Sequence, residues 1–461
     1  MPKTFHITSL GCAKNTVDSD SMAQLLLDAD YQLTANPDEA GVLIVNTCGF
    51  IDPAKEESIQ ALSELAAQKQ EDQLLIAAGC LTQRYGADIA RQVPGIDGIL
   101  GTRRWMDIVE VVKTLRKQPH PQPIYHLPAV PDVGRDDAGA LRASLQGNSA
   151  YLKIADGCRR PCAFCAIPNI KGSIVSRPIE AVINDARALQ ELGVREIILI
   201  AQDTTDYGHD IGLQDGLAQL LETLLPEIPA VDWVRILYAY PGYVTDHLIE
   251  VMAEHPQVLP YLDIPLQHAH PDTLRRMRRP ANMSWVHRTL EKMRRVIPNL
   301  ALRTTFIVGY PGESEDEFQT LLDFIAEIKF DRVGAFQFSF EKGTASEPLG
   351  DPIPPDVKQS RWERLMSLQQ GISLERNQSF VGGTLDVLIE GHDASRGIPY
   401  GRSYRDAPEI DGVVLIEQGN APTGEIVPVR ITGALTYDLT GGVEPSPGTS
   451  PSPNLREMRM P

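Results

Sequence analysis

Two long stretches of this chain alternate short apolar runs with helix-length segments, an order that points to parallel α/β architecture. In the first, Thr4–Leu10, Val42–Asn46 and Leu74–Ala78 read as buried parallel strands. Helical patterns over Val17–Asp28 and Pro53–Gln68 lie between them, the second opening on Pro53 with Glu56 and Glu57 in its first turns, as a helix N-terminus favours. The second stretch offers six strands: Tyr151–Ala155, Glu196–Ala201, Val234–Tyr238, Tyr261–Pro265, Leu302–Val308 and Gly334–Phe340. Helices separate them, ending in a long one from Pro355 to about Arg376. Six βα units make a partial form of the parallel barrel, whose site lies at the carboxyl ends of its strands.

A chain of 461 residues exceeds one compact core, and its composition shifts mark the expected boundaries. A doubly wound parallel-sheet domain is expected over 4–117, a linker rich in Pro, Gly, Asp and His over 118–149, and the partial (β/α)6 barrel over 150–376. Residues 377–443 carry short β-rich runs (Thr384–Ile389, Gly412–Glu417, Ile426–Ile431) that suit a small β-barrel, and 444–461 is a low-complexity tail expected to be disordered.

The first residues pass straight into a strand-like run without a secretion signal, and no apolar stretch approaches the roughly 20 residues of a spanning helix. A cytoplasmic protein without membrane contact is therefore expected. In that compartment the six cysteines, at 12, 48, 80, 158, 162 and 165, suggest metal or redox use rather than disulfides. Burial of each thiol as a small hydrophobe is the alternative.

Ser9-Leu-Gly-Cys12, Val45-Asn-Thr-Cys48 and Ala77-Ala-Gly-Cys80 each place a cysteine directly after an expected strand. The crevice beyond the strands' carboxyl ends is where open parallel sheets bind ligands, so these three should converge. The other three form one local motif, Ile154-Ala-Asp-Gly-Cys158-Arg-Arg-Pro-Cys162-Ala-Phe-Cys165. Cys-x3-Cys-x2-Cys supplies three thiolates to wrap one face of a cubane cluster. A closed structural site needs four ligands, and His209, the nearest downstream histidine, follows a different strand. Three ligands leave one iron open for chemistry, with zinc on a distant fourth ligand as the alternative.

With Phe164 before its last cysteine, this motif resembles the radical S-adenosylmethionine enzymes. The resemblance implies a 4Fe-4S cluster whose open iron binds the amino and carboxylate groups of S-adenosylmethionine. An electron from it breaks a carbon–sulfur bond and releases a deoxyadenosyl radical. It also implies that Gln202 and Asp203, after the second barrel strand, face the cofactor's amino group. Arg303 and the run Phe306-Ile-Val-Gly309-Tyr-Pro-Gly-Glu313 match a later strand lining the cofactor, although Gly309 and Gly312 could serve only to shape a turn. Arg275, Arg276, Arg278 and Arg279 are expected as a solvated helix end rather than a contact for an acidic partner.

Over nearly its full length the chain resembles the radical methylthiotransferase family, which joins a cluster domain, a radical barrel and a C-terminal β-barrel called TRAM. That likeness implies a second 4Fe-4S cluster on Cys12, Cys48 and Cys80. Within the family, Leu10-Gly-Cys12-Ala-Lys-Asn-Thr-Val-Asp-Ser-Asp20, Asn46-Thr-Cys48-Gly-Phe-Ile-Asp-Pro-Ala-Lys-Glu-Glu-Ser58 and Gly401-Arg-Ser-Tyr-Arg-Asp-Ala-Pro-Glu-Ile-Asp-Gly412 resemble the branch that modifies an aspartate of ribosomal protein S-twelve in the small subunit. Asp20 departs from the Glu usual there. The other branch modifies isopentenylated adenosine in tRNA.

Charge favours the first branch. The net charge of −18 disfavours a general nucleic-acid binder, because phosphate backbones call for a basic surface, although an acidic surface also serves plain solubility. Residues 377–440 carry four arginines (396, 402, 405, 430) against nine carboxylates (386, 390, 393, 406, 409, 411, 417, 425, 438), 4 − 9 = −5. Direct tRNA binding is thus not expected, and a basic ribosomal protein is the better partner. An aspartate β-carbon carries an unactivated C–H that no side-chain base removes near neutral pH, hence the radical chemistry and a low-potential electron donor as a further partner. A non-catalytic iron–sulfur scaffold is the alternative from another class.

Overall fold

The computed structural model describes residues 3–117, 122–136, 139–395 and 397–444. The chain divides into two compact units at Met366/Ser367, and the first contains two sheets. Strands β1 (Thr4–Ser9), β2 (Gln32–Leu33), β3 (Val42–Thr47), β4 (Leu74–Gly79), β5 (Gly98–Gly101) and β6 (Ile124–His126) make a wholly parallel sheet ordered β2-β1-β3-β4-β5-β6. β3 and β4 are buried along their whole length, because helices cover both faces. One face packs Met22, Leu25 and Leu26 of helix Ala13–Asp28 with Ile108, Val111 and Val112 of helix Ile108–Lys117. The other packs Leu62 of helix Asp52–Gln68 with Leu81 and Ile89 of helix Cys80–Gln92. Strand order reverses at the β1/β3 border, the point where a doubly wound sheet opens its ligand crevice.

The second sheet contains β7 (Ala143–Gln146), β8 (Ser149–Lys153), β11 (Glu196–Ile200), β12 (Trp233–Ile236), β13 (Val258–Asp263), β14 (Ala301–Val308) and β15 (Arg332–Gln337), while β9 (Ala155–Asp156) and β10 (Val175–Ser176) form a small ribbon beside it. The sheet order is β15-β14-β13-β12-β11-β8-β7. Six of these strands are parallel neighbours, the expected (β/α)6 barrel left open, and β7 adds antiparallel to β8. The stretch 118–149 therefore does more than link: β6 extends the first sheet and β7 the second. Neither carries a run long enough to rise above its Pro- and Gly-rich surroundings.

In the second unit, β16 (Thr384–His392), β17 (Pro399–Ser403), β18 (Val414–Gln418), β19 (Ile426–Ala434) and β20 (Leu439–Val443) close a five-stranded barrel around Val387, Ile389, Val414, Val429 and Ile431. Two of its arginines turn inward: Arg402 is bonded to Glu390 at 2.7 Å, and Arg405 lies over the Phe380 ring. Arg430 and the carboxylates Asp386, Glu409, Glu417 and Glu425 are exposed. Apart from Glu444, the expected tail at 444–461 lies outside the described residues.

Candidate active site

The Gly-Cys pairs explain how three distant strands bring their cysteines together. Gly11 and Gly79 take φ of +93° and +103°, where only glycine is comfortable. A Cβ on Gly11 would lie 2.8 Å from the Cβ of Cys48, and one on Gly79 2.4 Å from Asn46 Oδ1. The bare backbone thus lets each loop turn sharply against its neighbour. Cys12 caps helix Ala13–Asp28, Cys80 opens helix Cys80–Gln92, and Cys48 leaves β3, so Cys12 and Cys48 flank the β1/β3 switch point. Asn15 and Asn46 lock the crevice floor through 2.6 Å and 2.9 Å bonds to Leu10 and Asn15 carbonyls.

The barrel triplet follows β9, and all six thiols line one cavity of about 500 Å³ inside the first unit. None is in a disulfide. Burial pushes the thiols of Cys80, Cys158 and Cys165 up to about 12. Burial also raises Cys48, while at Cys12 it is outweighed by Lys14 and the Asn15 amide, leaving that thiol below its ordinary value. Buried thiols held so high become thiolates at neutral pH only against a strong local cation, which a metal site supplies. Sulfurs sharing one tetrahedral zinc would stand roughly 3.8 Å apart, from the 2.3 Å Zn–S bond. Among the described residues, no three cysteine sulfurs lie within 4.8 Å of one another. Three thiols of one loop, spread more widely than the ligands of one zinc ion, suit one face of an iron–sulfur cluster.

Of the residues expected to contact S-adenosylmethionine, Gln202 lines the cavity, and its Oε1 is buried without a hydrogen-bond partner. Asp203 and Arg303 do not line it. Asp203 accepts from Arg160 at 2.5 Å and Thr205 at 2.6 Å, so it positions Arg160, which does reach the cavity and lies over the Tyr243 ring. Arg303 is held by Asp263 at 2.9 Å, on the strand beside its own. The turn Gly309–Glu313 also stays off the cavity: Glu313 accepts from the Gly309 amide at 2.6 Å and from Arg361 at 2.7 Å, the purely turn-shaping role. Phe164 joins the wall.

Four wall residues were not legible in advance. Arg279, expected in a solvated helix end, is nine-tenths buried, with its Nη1 3.4 Å from Cys162 Sγ and its guanidinium over Tyr240. Its neighbour Arg275 is exposed as expected. Tyr240 places its hydroxyl 3.8 Å from the same sulfur. Lys14 and Lys171 complete the set. Lys171 belongs to a fully enclosed ion network, bonded to Asp18 at 2.8 Å and Asp156 at 2.9 Å. Lys153 and Arg142 grip the same two carboxylates. Three cations against two carboxylates leave 3 − 2 = +1, and it is Lys171 that carries this network to the wall shared with Cys12 and Cys80. The contacts run from helix Ala13–Asp28 to the barrel, a range no local motif reveals.

An open (β/α)6 barrel with a Cys-x3-Cys-x2-Cys loop at the carboxyl ends of its strands defines a radical S-adenosylmethionine enzyme, a class that works with S-adenosylmethionine and an iron–sulfur cluster. The radical SAM superfamily matches residues 152–325, the TRAM domain 381–443, and the family described as "Uncharacterized protein family UPF0004" 4–101. Ribosomal protein uS12 methylthiotransferase RimO of Roseiflexus sp. is 46% identical, covering 96% of this chain and 98% of its own length. RimO of Chloroflexus aurantiacus is 47% identical over 95% and 99%, and that of Heliobacterium modesticaldum 44% identical over 96% and 95%. Among solved structures, the radical S-adenosylmethionine methyltransferase TsrM of Kitasatospora setae shares the fold, with a TM-score of 0.56 at 11% identity over 84% of this chain and 81% of its own. The chain belongs to the RimO family of radical S-adenosylmethionine methylthiotransferases. Among the described residues, no helix is long and apolar enough to cross a membrane.

Proposed function

We propose that this enzyme adds a methylthio group to the β-carbon of an aspartate in ribosomal protein uS12, in the cytoplasm, using two 4Fe-4S clusters. The observation that carries the reading is the single cavity walled by both cysteine triplets. When bound, the cluster on Cys158, Cys162 and Cys165 supplies, from a low-potential donor, the electron that cleaves S-adenosylmethionine, and that on Cys12, Cys48 and Cys80 holds the sulfur that a first S-adenosylmethionine methylates.

The chain's own residues do the positioning. The orphaned Gln202 Oε1 offers an acceptor to the cofactor's ammonium, and Arg279 stands beside the barrel triplet as a counter-charge for an anionic group. Ile51, Ile167, Ile170 and Phe336 give the wall its apolar surface, which keeps water from a radical. Exposed Glu417 and Glu425 on the C-terminal barrel favour a basic protein over a polyanion, so direct tRNA binding is not part of the reading.

The test is a reaction of reconstituted enzyme with small subunits or uS12 and, in parallel, with isopentenylated tRNA. Mass spectrometry should find the methylthio increment on one uS12 aspartate. Finding it on adenosine, with uS12 untouched, refutes the substrate assignment.

A further inference from the structure

Among the described residues no Asp or Glu lines the cavity, whereas Lys14, Arg160, Lys171 and Arg279 all do. A largely apolar chamber with four cationic groups and no acidic one is built for anions. Two of the four are already matched: Arg160 is bound by Asp203 and Asp206, Lys171 by Asp18 and Asp156. The other two have no carboxylate partner among the described residues. Arg279 stands at the barrel triplet, against Cys162 and the Pro265 carbonyl. Lys14 lines the cavity two residues after Cys12, and among the described residues its ammonium has no hydrogen-bond acceptor. It rests on the Tyr238 ring, 3.1 Å from the centroid.

That ring is held at a conformational cost. Tyr238 has φ +64°, a left-handed conformation that bulky residues avoid and that persists only where the surroundings impose it. Here Thr204 N donates to the Tyr238 carbonyl at 3.1 Å, and the Tyr238 amide faces Asp263 Oδ2 at 3.4 Å. The strained residue presents the platform on which the ammonium from helix Ala13–Asp28 lies.

Two carboxylates must enter this chamber if it performs the reaction proposed above: that of S-adenosylmethionine and that of the target aspartate. Arg279 is placed for the first, beside the triplet that would hold the cluster. We infer that Lys14 receives the carboxylate of the target aspartate and so fixes its β-carbon between the two triplets. The β-carbon is one bond from that carboxylate, so a cation that holds the carboxylate sets the distance of the reacting C–H from both walls. The inference rests on the uS12 reading and assigns its specificity to one residue.

The test compares reconstituted wild type with K14M and K14R on uS12 carrying either Asp or Asn at the target position. K14M should raise KM for uS12 about 10- to 100-fold, the weight of a charge-assisted bond, with a smaller change in kcat. Its preference for Asp over Asn should collapse, and K14R should restore most of both. The Kd for S-adenosylmethionine should stay at its wild-type value, and K14R, which keeps a cation beside Cys12, controls for any change in iron content. Wild-type KM and Asp preference in K14M overturn the inference. So does an equal shift in the Kd, which assigns Lys14 to the cofactor's carboxylate. Wild type that leaves uS12 unmodified overturns the uS12 reading and this inference with it.

Discussion

The barrel carries its three cysteines on one loop, Cys158 to Cys165, whereas the N-terminal sheet gathers Cys12, Cys48 and Cys80 from the ends of three strands. The first site needs a local turn; the second exists only once β1, β3 and β4 are in register and Gly11 and Gly79 have turned back on Cys48 and Asn46. One fold brings both triads to the same cavity. A loop can follow a cofactor that comes and goes, while a sheet edge gives a fixed wall.

The comparison breaks most sharply if the triads are not independent. Replacing Cys158, Cys162 and Cys165 by Ala should abolish deoxyadenosine production and remove about half the iron of the reconstituted enzyme, as one of two cubanes is lost. Liquid chromatography and iron analysis check this; unchanged iron would mean the motif holds no cluster. Replacing Cys12, Cys48 and Cys80 should remove a similar share of iron and all methylthio transfer, yet spare reductive cleavage of S-adenosylmethionine. Loss of that cleavage in a folded variant would show that the sheet-edge triad serves the radical step as well.

Asp18→Asn sharpens the comparison from the stability side, with a smaller effect. It leaves buried Lys153, Lys171 and Arg142 against one carboxylate, and breaking such buried pairs costs about 3–5 kcal/mol. Urea titration should show the loss. Despite the opposing cost of burial, Lys153, Lys171 and Arg142 hold Asp18 below the usual carboxylate range, and Asp156 well below it. The unfolded chain therefore takes up protons first as pH falls, and the stability these carboxylates contribute is present above about pH 4 and lost below it. Wild type should lose stability over that acid range more steeply than Asp18→Asn. Parallel curves would place the acid sensitivity elsewhere.

The sequence disclosed those parts of the site whose signals are local. Cys-x3-Cys-x2-Cys is a spacing, and the three N-terminal cysteines follow apolar runs long enough to recognise as strands. Short β5, bounded by Gly98 and Gly101, and β20 with its Gly-Gly pair carry too little apolar periodicity to stand out. Arg279 sits in a run of arginines resembling a solvated helix end, and only the fold shows which one turns toward Cys162. Asp203 follows a strand, as a cofactor contact would, but Arg160 engages its carboxylate across a loop.

The enclosed ion network has a consequence for how the enzyme is made. Asp18 leaves the ribosome 153 residues ahead of Lys171, a delay of roughly 8–30 s at common elongation rates. Until then the set of cations for the carboxylate on the helix behind Cys12 is incomplete, since Arg142 and Lys153 precede Lys171, and the wall beside Cys80 lacks its lysine. The wall behind the first cysteines to be translated is therefore completed only once the barrel's opening loop has been made.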